Sequence, residues 1–249
     1  MYLSEFDLDL PYIADEDRIV AIMNEKNCLR NEATKLDYEK NWKDKRRKFR
    51  LETRNISAMF ERLFGQMKTK DCSKILVECV DEVKEERVMN FSGVYIVQIK
   101  FDYNNFLASD DYQKKQKTLD LIMDGIKIIV AKNEDWDIEP FERIYSKIRE
   151  ANYTNEWVWK KPIKSSDKKF SAEVLCQHRV KSIEIYIVLR DNNGAELDRK
   201  KVISELPDEF AYAKHLGEVK WFSHNEAALV NKKGDKTWTV NFELTAKQK

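Results

Sequence analysis

An α+β protein is predicted by three features. Apolar residues recur at three- and four-residue steps in the first half of the chain, two-residue alternation runs near its middle, and Asn/Gly turn signals separate β-prone runs toward its end. The expected order is a helical N-terminal region to about residue 70, a mixed strand-helix middle, and an antiparallel β-rich region from about 153 to 249. The polar stretch Lys164 to Lys169, just after Pro162, marks the expected boundary. It divides a 1–160 region from a 168–249 region, which is either separate or continuous with the first.

Asp15 to Lys26 opens with acids and aligns Ile19, Ile22 and Met23, which predicts a short amphipathic helix. From Asn31 to Arg54 the apolar residues Leu36, Tyr38, Trp42, Phe49 and Leu51 are too widely spaced for a continuous face. That stretch reads as a solvated helix or a mobile connection. Asn55 is then the expected N-cap of a helix carrying Ile56, Met59, Phe60, Leu63, Phe64 and Met67.

Ile75, Leu76, Val77, Cys79 and Val80 form a compact β-prone run. After Gly93, residues Tyr95, Val97, Ile99, Phe101 and Tyr103 alternate with neighbours that become polar, which suits a strand inside a sheet. Ser109, Asp110 and Asp111 signal a helix start, and Leu119, Ile122, Met123, Ile126, Ile129 and Val130 continue its stripe around Gly125. Pro140 suits the first turn of a further helix carrying Phe141, Ile144, Tyr145 and Ile148.

In the tail, Tyr153, Asn155, Trp157 and Trp159 alternate, as do Phe170, Ala172, Val174 and Cys176, and then Ile183 to Leu189. Asp191-Asn192-Asn193-Gly194 predicts a hairpin turn, because Asn and Gly accept positive φ. Lys232-Lys233-Gly234-Asp235 predicts a second, joining Ala227 to Val230 with Trp238, Val240, Phe242 and Leu244.

Composition removes several function classes. With 12 Phe, 10 Tyr and 6 Trp the chain has the apolar payload of a folded core. A formal charge of +1 gives the whole molecule little long-range attraction to nucleic acid or anionic lipid. No apolar run reaches a membrane span, and Glu5, Asp7 and Asp9 stand where a secretory leader would be basic and then apolar. A cytoplasmic protein without a membrane partner is expected. Cys28, Cys72, Cys79 and Cys176 are scattered and form no CxxC pair, so they read as reduced thiols. Cys176 and His178 share a strand face, but two ligands do not make a structural zinc site.

No GxSxG, GxxxxGK[ST] or HExxH occurs, and the six glycines are too dispersed to cradle phosphate. No cofactor and no resident metal are expected. His215 and His224 flank Glu218, a set that could line a pocket, although three histidines in all give acid-base chemistry little material. A metal-dependent nuclease would need an acid on one strand and an acid or Gln, any residue, then Lys on the next. Glu78 with Gln98-Ile99-Lys100, and Asp102 beyond, fits that pattern. Glu82-Val83-Lys84 and Glu218-Val219-Lys220 fit its short part too, and about five or six such triplets arise by chance in this composition.

The run Lys43, Lys45, Arg46, Arg47, Lys48 and Arg50 could contact a polyanion, though Asp37, Glu39, Asp44 and Glu52 neutralise part of it. Trp157, Trp159, Trp221 and Trp238 would anchor a partner protein if exposed. The expected function is therefore a non-catalytic module that covers a partner protein, in the manner of an immunity protein or an adaptor. The alternatives are a nucleic-acid-acting enzyme using Glu78, Gln98, Lys100 and Asp102, and a small-ligand carrier with a pocket between sheet and helix.

Overall fold

The computed structural model describes residues 1–243. The α+β class holds: helices fill the N-terminal half and antiparallel strands the C-terminal half. Two compact units divide between Tyr153 and Thr154. The predicted boundary thus falls inside the second unit, where Lys164 ends one strand and Ser165 to Lys169 lead into its paired neighbour. Among the described residues no helix is long and apolar enough to cross a membrane.

The first unit runs β1 (Tyr2–Leu3), β2 (Glu5–Asp9), α1 (Glu16–Lys26), α2 (Arg30–Asn41), α3 (Lys43–Phe64), β3 (Met67–Lys68), β4 (Lys74–Val80), β5 (Met89–Phe91), β6 (Val94–Lys100), α4 (Tyr103–Ala108), α5 (Asp111–Ala131) and α6 (Glu139–Glu150). Its main sheet has the order β2-β4-β6-β5, with β2, β4 and β6 parallel and β5 antiparallel. Alternation buries Phe6 and Leu8 of β2, Ile75, Val77 and Cys79 of β4, and Tyr95 and Val97 of β6 on one face. Helix α5 packs against β2, β4 and β6, and α3 packs against β2 and α5. Phe6 meets Phe60 and Phe64 edge-on with centroids 4.8 and 5.0 Å away, and Phe64 stacks on Phe141 at 5.0 Å.

Helix α3 corrects the sequence expectation. It is continuous from Lys43, and Asn55 is a buried mid-helix residue, not an N-cap. The gap in the apolar stripe between Phe49 and Ile56 is filled by Glu52 and Thr53, both buried. The Thr53 hydroxyl donates to the Phe49 carbonyl at 3.0 Å, which satisfies its polar group within the helix. Helix α5 starts one residue later than Ser109 suggests: Asp110 and Gln113 form a reciprocal capping box.

Helices α1 and α2 are tied together by Asp37, which is fully buried. Its carboxylate accepts from Arg18 Nε at 2.8 Å, from the Tyr12 hydroxyl at 2.6 Å and from Asn41 Nδ2 at 2.7 Å. The Arg18 hydrogen bond, aided by Tyr12 and Asn41, outweighs burial and lowers the Asp37 carboxyl to about 2. Burial, followed by this carboxylate, pushes the Tyr12 phenol up to about 12. A carboxyl depressed on folding stabilises fully above its unfolded value of about 3.9, and the contribution is lost as pH falls through the folded value. Asp37→Asn is therefore expected to be less stable than the parent at neutral pH, with the gap closing between about pH 4 and pH 2. Urea unfolding across that range checks this, and a pH-independent gap would contradict it.

The second unit runs β7 (Asn155–Lys164), β8 (Phe170–His178), β9 (Ile183–Asp191), β10 (Glu196–Glu205), α7 (Glu209–Tyr212), a single 3₁₀ turn Ala213–His215, β11 (Glu218–Trp221), β12 (Glu226–Val230) and β13 (Thr237–Asn241). Strands β7 to β10 form one antiparallel meander, and β11 to β13 a second. The two sheets share a core in which Val174, Cys176, Ile185 and Ile187 meet Ala227, Leu229 and Val240. Both predicted hairpin turns occur, with Gly194 at φ 83° and Gly234 at φ 78°. Leu244 lies outside the described residues.

Candidate functional site at the open edge of β6

Parallel register brings the predicted strand residues into one row. Asp9 of β2 pairs with Glu78 of β4, and Glu78 with Gln98 of β6. Lys100 lies two residues farther along β6, opposite Val80. This row sits at the carboxyl ends of the parallel strands, where open α/β sheets place their ligands.

The row is internally satisfied. Arg46 of α3 donates from Nε to Asp9 at 2.8 Å. Gln98 Nε2 donates to Glu78 at 3.0 Å, while Gln98 Oε1 accepts the backbone N–H groups of Lys84 and Glu85 at 3.0 and 3.1 Å. Gln98 therefore pins the 81–88 segment to the strand end. Asp102 caps α4, accepting the Asn105 N–H at 2.9 Å. Among the described residues no three His, Cys, Asp or Glu side chains converge as a metal site would require. The arrangement anchors a loop instead of aiming several reactive groups at one atom.

The pinned segment walls an open cleft of about 470 Å³. Strand β5 pairs only with Val94–Ile96, so the β6 edge from Val97 to Lys100 runs beyond its antiparallel neighbour. Val83, Val97, Ile99 and Ile128 give this cleft an apolar floor, and Gln98, Lys100, Glu85, Glu86, Arg87 and Asp124 complete its lining. Arg87 forks onto Glu85 through two hydrogen bonds of 2.9 Å, and this contact, chiefly its side-chain hydrogen bonding, lowers the Glu85 carboxyl to about 2. Arg87 and Ile128 carry no motif in the sequence, and Val83 stands there only within the chance triplet Glu82-Val83-Lys84. The one local signal was an apolar Val83 set alone among charges in Asp81 to Arg87.

The other predicted groups lie apart from this cleft. Of the basic run, Arg46 is held by Asp9, Lys45 sits over the rings of Trp42 and Tyr103 at 4.2 and 4.4 Å, and Lys48 is 4.0 Å from Glu52. Lys43, Arg47 and Arg50 are left exposed on one helical face. Trp157, Trp159, Trp221 and Trp238 are half-buried and pack against the core of the second unit. The most exposed aromatic is Phe210 at 95%. Cys176 and His178 are both buried on β8. His215 Nε2 lies 3.0 Å from Glu205, while Glu218 lies beside Lys220, so the set of His215, His224 and Glu218 does not form. No protein family, no curated protein and no solved structure matches the chain.

Proposed function

We propose that the protein is a non-catalytic interaction module that takes an extended segment of a partner protein along the open edge of β6. One observation carries this reading: β5 stops after three paired residues, and among the described residues no strand pairs with Val97–Lys100 on that side, where the edge borders an apolar cleft. Strand addition supplies main-chain hydrogen bonds, and the cleft supplies a pocket for one side chain in two of the added segment. The satisfied state of Glu78, Gln98 and Asp9 supports a binding role over acid-base or metal chemistry. The partner's segment is expected to be extended, with aliphatic or aromatic residues at alternate positions.

Selection from a displayed library of short random peptides tests this. Enriched peptides should protect the edge-facing Gln98 and Lys100 amides from exchange, since those of Val97 and Ile99 face β4, and Val83→Asp should weaken them by about tenfold or more, since it sets a charge on the apolar floor. Failure to enrich any peptide, or protection confined to other elements, would sink the reading.

A further inference from the structure

The β7–β8 hairpin carries a dense run of one-sign charge, part of which the fold leaves exposed. Residues 160–169 contain Lys160, Lys161, Lys164, Lys168 and Lys169 against a single acid, Asp167, and no arginine. Asp167 works within the turn, where it accepts the Ser165 hydroxyl at 2.6 Å and the Lys169 N–H at 3.1 Å. Lys161, Lys164 and Lys168 are exposed and have no carboxylate partner among the described residues.

The backbone presents these lysines actively. Trp159 pairs with Val174 and Ile163 with Ala172, so four steps along β7 face two along β8. The bulge lifts Lys160, Lys161 and Pro162 out of the ladder. Lys160 at φ 63° and Lys168 at φ 59° both occupy the left-handed region, which side chains other than Gly, Asn and Asp rarely adopt. The Lys160 ammonium is anchored on the Gly217 carbonyl at 3.0 Å, and Trp221 Nε1 donates to the Ile163 carbonyl at 2.9 Å.

We propose that this hairpin is a contact for the phosphate backbone of a nucleic acid, read by charge and not by sequence. Lysine is a hydrated point charge, which suits phosphate neutralisation without the bidentate geometry arginine gives to base edges. An anionic bilayer fits less well, because Ile163 is the one large aliphatic side chain the stretch offers for insertion. On α3, by contrast, neighbouring carboxylates and rings already hold half of the basic run. The competing structural role is protection of the β7 edge, for which lysine, proline and bulges are all used. Charge reversal separates the two roles, since glutamate guards an edge as well as lysine but repels phosphate.

The experiment is fluorescence anisotropy of the full chain with labelled duplex and single-stranded oligonucleotides, between about 50 and 200 mM salt. The parent should bind with a log–log salt slope between about −2 and −3, as expected for three neutralised phosphates. The variant carrying Lys161→Glu, Lys164→Glu and Lys168→Glu should bind at least ~tenfold more weakly with a flatter slope, while Lys43→Glu with Arg47→Glu and Arg50→Glu should bind as the parent does. Glutamine at the same three hairpin positions gives a second variant that removes charge without repulsion and should show the same direction of loss. No binding at low salt, undiminished binding by both hairpin variants, or binding to phosphatidylserine vesicles in place of the oligonucleotides would each overturn the proposal.

Discussion

Glu52→Ala and Lys114→Ala are each expected to lose about 3–5 kcal/mol of unfolding free energy, measured by urea denaturation near neutral pH. Glu52 on α3 and Lys114 on α5 are 7% and 4% exposed, and the Lys114 ammonium donates to Glu52 Oε2 at 2.8 Å. Removing either partner leaves the other charge buried, with only partial compensation. For Lys114 that is the ring of Phe106 at 5.5 Å, and for Glu52 it is Lys48 at 4.0 Å. Replacing both, as Glu52→Leu with Lys114→Met, should recover most of the loss, because the cost of single removal is desolvation of an unpaired ion and not the worth of the pair. Single variants within about 1 kcal/mol of the parent would show that water reaches the site.

Gly125→Ala is expected to destabilise the first unit by about 1–3 kcal/mol, against a helix propensity that alone favours alanine by about 1 kcal/mol. A Cβ at Gly125 would lie 2.4 Å from Val77 Cγ2 and 3.2 Å from Val97 Cγ2. Helix α5 thus approaches β4 and β6 at a point where only hydrogen fits, and both valines are buried with no room to yield. Adding Val77→Ala to Gly125→Ala should give a double variant more stable than the sum of the two single losses, since one change vacates what the other fills. A Gly125→Ala protein with a raised melting temperature would mean that α5 sits farther from the sheet.

The candidate site was half legible. Glu78, Gln98 and Lys100 stood out as chemistry-bearing residues on convincing strands, and the structure does place Glu78 against Gln98. Their use was not legible. That Gln98 reaches the N–H groups of Lys84 and Glu85 depends on how the 81–88 segment folds back, and no local pattern encodes that return. Ile128 enters the cleft from α5, 28 residues beyond the end of β6, so no short window of sequence could have joined them. The basic run of α3 looked uniform in sequence and proved divided, because Asp9, Trp42, Tyr103 and Glu52 reach it from different elements or different turns.

What the amino-acid order determined by itself was local: the alternation of Tyr95, Val97 and Ile99, the stripe from Leu119 to Ile129, the two Gly-bearing turns and hence the α+β class. These follow from side-chain periodicity and backbone sterics, which act over a few residues. Tertiary structure alone decided the parallel order β2-β4-β6, the continuity of α3 through Thr53, the burial of Glu52 with Lys114 and the short reach of β5. Alternation states which face of a strand is apolar but not which strand lies beside it, and an ion's partner is fixed only once distant segments share a core.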